Sequence, residues 1–270
     1  MLSSGLFLLP GLAVDRAGPA AVLSYAAAGL LAVPAMLSVA ELATAMPRAG
    51  GAYYFLERAL GPAVGTVAGM STWLSLVLKD AFALIGMSAY LHLVIDVPNK
   101  PLALALIAGF TVLNIVGSKT TASVQLALVA FVLGVMGVFL LVGLPRLGAA
   151  DSAGSLDPFF TSGLAGTASV VGLVFVSYGG LTKVASMAEE IEDPSRNIPL
   201  GMALSLLVST LLYTLAVLVV VMVIPIDEVR TDLAPIHTAA KAILPPALDV
   251  LVVIAALAAF SSAVNAGVLA

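Results

Sequence analysis

The 270 residues are 61% hydrophobic and only 10% charged, where globular domains average about a quarter charged. With 11 Lys+Arg, 15 Asp+Glu and a mean hydropathy of +1.15, the chain cannot cover a water-facing surface of this size, so lipid is its solvent. A net charge of −4 without any basic stripe excludes a nucleic-acid partner, and zero cysteines exclude thiolate metal sites, disulfide frameworks and cysteine nucleophiles.

A bilayer core takes roughly 20 apolar residues as a helix, so charge-free runs are the unit of organisation. Residues 1–15 lack the basic start and small-residue cleavage site of a secretory signal and read as mature protein with a partial span from Met1 to Val14. Further runs lie between Arg16 and Glu41, Arg58 and Lys79, Lys100 and Lys119, Lys119 and Arg146, Asp157 and Lys183, Arg196 and Asp227, and from Asp249 to Ala270, which makes eight segments. The third is interrupted by Lys79 and Asp80, yet its neighbours Leu76 to Leu78 and Ala81 to Ala83 include no Gly or Pro. It is therefore predicted as one long tilted helix starting after Pro62, with Lys79 near mid-depth.

Short connections such as Asp15–Pro19, Asp96–Pro101 and Asp193–Asn197 carry turn residues, and longer ones run from Glu41 to Gly61, Gly148 to Gly163 and Asp227 to Asp249, the last with amphipathic content. The expectation is an all-α polytopic membrane bundle. The excess of Lys and Arg on cytoplasmic loops does not set orientation here, because Arg48, Arg58, Lys119 and Arg196 oppose Arg16, Lys100, Arg146, Arg230 and Lys241.

Two clusters break the helical pattern at membrane depth: Ser3-Ser4-Gly5-Leu6-Phe7 followed by Pro10-Gly11 in the first segment, and Ser177-Tyr178-Gly179-Gly180-Leu181-Thr182 in the sixth. Exposed backbone at that depth is tolerated where it lines a cavity. Paired interruptions five segments apart are what two inverted repeats produce, with free N–H groups suited to a carboxylate and unwound carbonyls suited to an ammonium or cation. The competing reading is close helix packing on small residues; it is the one expected for Gly61, Gly65 and Gly69.

At these residues the sequence resembles the amino acid-polyamine-organocation (APC) family, in an archaeal branch. The stretch 3–11, SSGLFLLPG, looks like the family's first-helix motif; Glu41–Pro47 with Gly50–Tyr53 resembles the end of its second helix and the following loop. Residues 175–199, FVSYGGLTKVASMAEEIEDPSRNIP, are similar to its sixth helix and the acidic turn into the seventh. Pro225–Glu228 and Phe260–Asn265 match as well. The resemblance implies a 5+5 inverted-repeat, leucine-transporter-like fold, here incomplete: residues 1–147 as the first repeat with helix one cut short, and 158–270 as the second without its later helices. It implies secondary active transport of amino acids by alternating access across the cytoplasmic membrane of a prokaryote, and a chain that is a fragment of the full transporter.

Carried over from the family, Ser3, Ser4 and Gly5 meet the substrate carboxylate, and the backbone around Phe175, Ser177, Tyr178 and Gly179 meets the amino group and side chain. Thr182 stands where arginine-exchanging members carry a glutamate, so a neutral amino acid is expected. Proton-coupled relatives place a lysine where this chain has Val132, while Ser261 and Ser262 resemble sodium-coordinating hydroxyls; interhelical hydrogen bonding is the alternative for both serines. Intramembrane charges are functional candidates by default, which makes Lys79, Asp80 and Lys183 ion-coupling candidates, with Lys79 either a proton carrier or part of a fixed ion pair. Glu189, Glu190, Glu192 and Asp193 form a solvated loop or a gate with Arg48 or Arg58. His92 and His237 lack carboxylates at ligand spacing, so no metal is expected, and the cofactor call is none, with Na+ or H+ as coupling ion.

An enzyme is not expected. Asp80 is the mid-span carboxylate, and neither HExxH nor GxSxG occurs, which argues against an intramembrane hydrolase. A non-transporting membrane receptor or assembly fragment is the other alternative. Lipid and a small amino acid are the expected partners.

Overall fold

The computed structural model describes residues 2–48, 50–94, 101, 102, 104, 105, 107–109, 112, 121–148, 156–186 and 188–268. The segment expected between Lys100 and Lys119 falls largely outside these residues. Among the described residues every regular element is a helix.

The first segment is broken. Helix α1 (Ser4–Phe7) and α2 (Leu9–Ala17) are separated at Leu8. Pro10 supplies the reason, because it has no N–H to give the Leu6 carbonyl and its ring crowds that group. The interruption thus falls after the Ser3–Gly5 cluster, which is itself wound: the Ser3 carbonyl accepts from the Leu6 and Phe7 N–H groups at 3.0 and 3.1 Å. A 3-10 turn (Gly18–Ala20), with Gly18 at φ +62°, leads into α3 (Ala21–Ala45).

The connection after α3 contains an amphipathic helix, α4 (Gly51–Leu60). Helix α5 (Pro62–His92) then runs for 31 residues straight through Lys79 and Asp80, as expected from their helix-compatible neighbours. The three spaced glycines divide in role. Gly65 and Gly69 press against Glu57 and Tyr53 of α4, but Gly61 sits at φ +88° with nothing near it, so it is the hinge between α4 and α5 and not part of a packing face.

Helix α6 (Thr121–Gly143) precedes the second interrupted segment, which consists of α7 (Gly163–Phe175), a 3-10 stretch (Val176–Thr182) and α8 (Lys183–Ser186). Gly179-Gly180 lie inside the tightened stretch, where the α ladder gives way to i→i+3 bonding. Helix α9 (Pro194–Val223) follows, then the short α10 (Ile226–Val229) and the amphipathic α11 (Pro235–Ile243) of the 227–249 connection, and finally α12 (Pro246–Val268).

Helix α3 packs on α7 and α9, and α5 packs on α4 and α12. Lipid tails are as apolar as leucine, so these contacts are driven by close packing and hydrogen bonds rather than by water exclusion. A Cβ added at Gly86 would lie 2.5 Å from the Phe260 ring, and one at Gly143 would lie 2.6 Å from Val219. Outward leucines such as Leu141 (75% exposed) and Leu164 (77% exposed) have no protein neighbour to cover them and face lipid. Residues 9–45, 62–92, 125–146, 163–186 and 194–223 are each long and apolar enough to cross a membrane. The chain is a multi-pass integral membrane protein.

Candidate functional site

The two interruptions meet. A Cβ at Gly5 would lie 2.5 Å from both Cβ and Oγ of Ser177 and 3.0 Å from the Tyr213 hydroxyl, so only glycine lets α1 touch the 3-10 stretch at this depth. Ser3, Ser4, Gly5, Ser177 and Tyr178 are all buried there.

The carbonyls near the break are not bare, contrary to what unwinding would give. The Tyr25 hydroxyl of α3 donates to the Gly5 carbonyl at 2.9 Å, and the Tyr90 hydroxyl of α5 donates to the Phe7 carbonyl at 3.1 Å. Tyr178 in turn donates to the Tyr25 carbonyl at 3.3 Å. These tyrosines stack into two clusters: Tyr25, Tyr178 and Tyr213, with centroids 5.5 and 5.9 Å apart, and Phe7, Tyr90 and Phe260, with centroids 5.8–6.1 Å apart. Sequence reasoning passed over Tyr25, Tyr90 and Tyr213. The available signal was a phenol inside an otherwise aliphatic span, since a hydroxyl at that depth must find a partner.

A cavity of about 520 Å³ opens beside the crossing. Ser4 of α1, Val176 and Ser177 of the 3-10 stretch, and Ser71, Ser75 and Lys79 of α5 line it. Ser177 is 5% exposed, and its hydroxyl has no hydrogen-bond partner. A buried hydroxyl left unpaired is costly, about 1–3 kcal/mol, and this one faces a hollow. Of the other expected substrate residues, Phe175 is 40% exposed and Gly179 is exposed with nothing near it. The side chain of Thr182 lies outside the described residues, as does that of Asn265.

Lys79 and Asp80 are half-buried on α5, and Lys183, half-buried at the start of α8, lies close enough for its charge to act on both. The structure therefore brings these three sequence-distant charges together. It places Ser261 and Ser262 elsewhere, on α12. The Ser261 hydroxyl donates to the Leu257 carbonyl at 2.7 Å within its own helix, and Ser262 accepts from the Gln125 side-chain amide of α6 at 2.7 Å. Val132 and Ser262 share a small cavity of about 20 Å³ with Leu2. Gln125 was not singled out from sequence.

On the connection after α10, Asp232 anchors α11 by accepting from the Ala234 N–H at 2.7 Å and from the Thr238 hydroxyl. His237 on α11 has its imidazole pKa held below the ordinary value, chiefly by burial, although Asp249 and Asp232 pull the other way.

The family model for amino acid permeases matches residues 1–270. The chain is 28% identical over 255 residues to a chloroplastic cationic amino acid transporter of Arabidopsis thaliana, covering 86% of this chain and 44% of that protein. It is 28% identical over 249 residues to a branched-chain amino acid permease of Bacillus subtilis (84% and 53%), and 26% identical over 273 residues to an uncharacterised protein of Methanocaldococcus jannaschii (98% and 62%). The chain thus spans about half the length of the curated relatives it matches. Two interrupted helices crossing beside a lined hollow, in a bundle of membrane helices, are what that match brings together: the chain belongs to the amino acid permease family.

Proposed function

We propose that this chain carries the substrate-binding core of a secondary amino acid transporter working by alternating access, and that its substrates are neutral amino acids. The observation that carries the reading is the Gly5–Ser177 contact, where two interrupted membrane helices touch and an unpartnered serine hydroxyl faces a cavity of about 520 Å³. A hollow of that size suits an amino acid, and its hydroxyls suit a zwitterion.

The inverted-repeat reading of residues 1–147 and 158–270 is supported by which helices touch. Counting segments in order, the first meets the sixth, the second (α3) meets the seventh (α9), and the third (α5) meets the eighth (α12). A two-fold relation between halves pairs counterparts in this way. A neutral substrate is supported by the cavity lining, in which no carboxylate occurs among the described residues to meet a cationic side chain. The names of the relatives point both ways, to cationic and to branched-chain amino acids. The similarity to a Bacillus and a Methanocaldococcus protein supports the cytoplasmic membrane of a prokaryote as the setting.

Uptake or exchange of radiolabelled amino acids by proteoliposomes holding the protein tests this reading. Saturable uptake of leucine or isoleucine that excess arginine does not compete is the expected result. Preference for arginine or polyamines overturns the neutral assignment, and no uptake or exchange of any amino acid overturns transport in favour of a receptor or assembly role.

A further inference from the structure

We propose that Lys79 holds the carboxylate of the amino acid in this cavity and thereby sets the site against cationic side chains. The inference rests on the transport reading above and assigns one residue within it.

Lys79 lines the same hollow as Ser4 of α1 and Ser177 of the 3-10 stretch. The other polar groups there are serine hydroxyls, and Ser71 already spends its proton on the Val67 carbonyl at 2.8 Å. Among the described residues the lining therefore carries one formal charge, and it is positive. Asp80 follows Lys79 directly, so it sits about 100° round the helix, and it is not among the lining residues. Its carboxylate is also shared with Lys183. Two ammonium groups to one carboxylate leave this part of the bundle one negative charge short.

An uncompensated ammonium at membrane depth is expensive. A ligand carboxylate entering the hollow supplies the missing charge to Lys79, and the unpartnered Ser177 hydroxyl gains an acceptor in the same step. A guanidinium or a second ammonium on the ligand meets the opposite situation, since it would bring a third positive charge into a lining that has no carboxylate to offer. Lys79 is in this sense a specificity residue as well as an anchor.

The test is binding of radiolabelled L-leucine to the purified full chain in detergent, with competition by leucinamide, L-aspartate and L-arginine, for the unaltered protein and for Lys79→Met and Lys79→Arg. Lys79→Met is expected to weaken leucine by about tenfold or more, the loss usual for truncating one side of a desolvated charge pair. It should leave leucinamide, which lacks the carboxylate, unchanged or better bound, and arginine should compete more strongly than before. Lys79→Arg keeps the charge and should retain most of the leucine affinity. A larger loss for aspartate than for leucine identifies the side-chain carboxylate as the group read, and equal losses identify the α-carboxylate; either supports the proposal. Equal weakening of leucine and leucinamide marks a packing role and overturns it, as does no change for leucine and aspartate. If the unaltered chain binds none of the four compounds, the transport reading fails and this one with it. Size-exclusion profiles monitor folding, and Lys79→Gln carries the same comparison should the Met variant aggregate.

Discussion

Gly5→Ala is the most informative single change. A methyl group there would stand 2.5 Å from Ser177 Cβ and Oγ, whereas carbon atoms rest at about 3.5–4.0 Å, so the crossing must open by roughly 1 Å. The Oγ can rotate away, but Cβ is fixed to the backbone of the 3-10 stretch, and Tyr213 closes the remaining side at 3.0 Å. Overpacking of this kind costs about 1–3 kcal/mol. Ser177→Gly removes both of the nearest atoms, so the double variant should recover most of the loss, with a coupling of about 0.5–3 kcal/mol between the two positions. Thermal unfolding of the four proteins in one detergent, read together with leucine uptake, measures the cycle. Ser177→Gly has its own cost of roughly 0.5–1 kcal/mol from added backbone freedom, and the cycle subtracts it. A strictly additive result, or a Gly5→Ala protein as stable and active as the parent, would falsify the claim that the two interruptions bear on each other.

Further outcomes follow from individual bonds. Tyr25→Phe leaves the buried Gly5 carbonyl without its donor and should destabilise by about 1–3 kcal/mol, seen as a lower unfolding midpoint; Tyr90→Phe should act alike through Phe7. Gln125→Leu removes the bond that ties α6 to Ser262, with an expected cost of about 0.6–1.7 kcal/mol, the range for interhelical bonds in lipid, and Ser262→Ala in the Gln125→Leu background should add little. His237 favours the neutral imidazole in the fold, so the unfolded chain takes up its proton first, near pH 6.5. Stability from this group is present above that pH and lost as pH falls below it. The unfolding midpoint should therefore drop on acidification from about pH 7.5 to about pH 5.5, and His237→Gln should flatten that slope.

Charge-free intervals made the spans legible because a bilayer penalises each charge, and the same logic led correctly through Lys79 and Asp80 to one helix over Pro62–His92. The second interruption was legible too, since Gly179-Gly180 lie inside the tightened stretch. The first was placed a few residues early. Small residues at 3–5 signalled a close approach, which Gly5 does make, but the unwinding is caused by Pro10, whose missing N–H acts four residues upstream. Gly61 was misread for a related reason: spacing by four suggests a packing stripe, and only the backbone reveals a residue at φ +88° between two helices. The grouping of Lys79 with Lys183, and of Gln125 with Ser262, depends on how distant helices are juxtaposed, which periodicity along one chain does not encode.

The tyrosines change what the crossing offers a ligand. With the Gly5 and Phe7 carbonyls held by Tyr25 and Tyr90, the broken helix does not present its main chain to the hollow as free acceptors. What faces the hollow is a set of side chains from three segments: Ser4, Ser177, and Ser71, Ser75 and Lys79. This division has a mechanical consequence. The bond from Tyr25 ties α1 to α3, the bond from Tyr90 ties it to α5, and Tyr178 ties the sixth segment back to Tyr25. The first and sixth segments are thereby clamped through α3 while their serines remain available. A substrate that bridges Ser4 and Ser177 then acts on two elements already joined by that clamp, so rocking them together costs no bond within the pair, whereas separating them breaks at least one. Movement of the two interrupted segments as one body against α5 and α12 is the lower-cost route through such a cycle, and the Tyr90–Phe7 bond is the link that this route must strain.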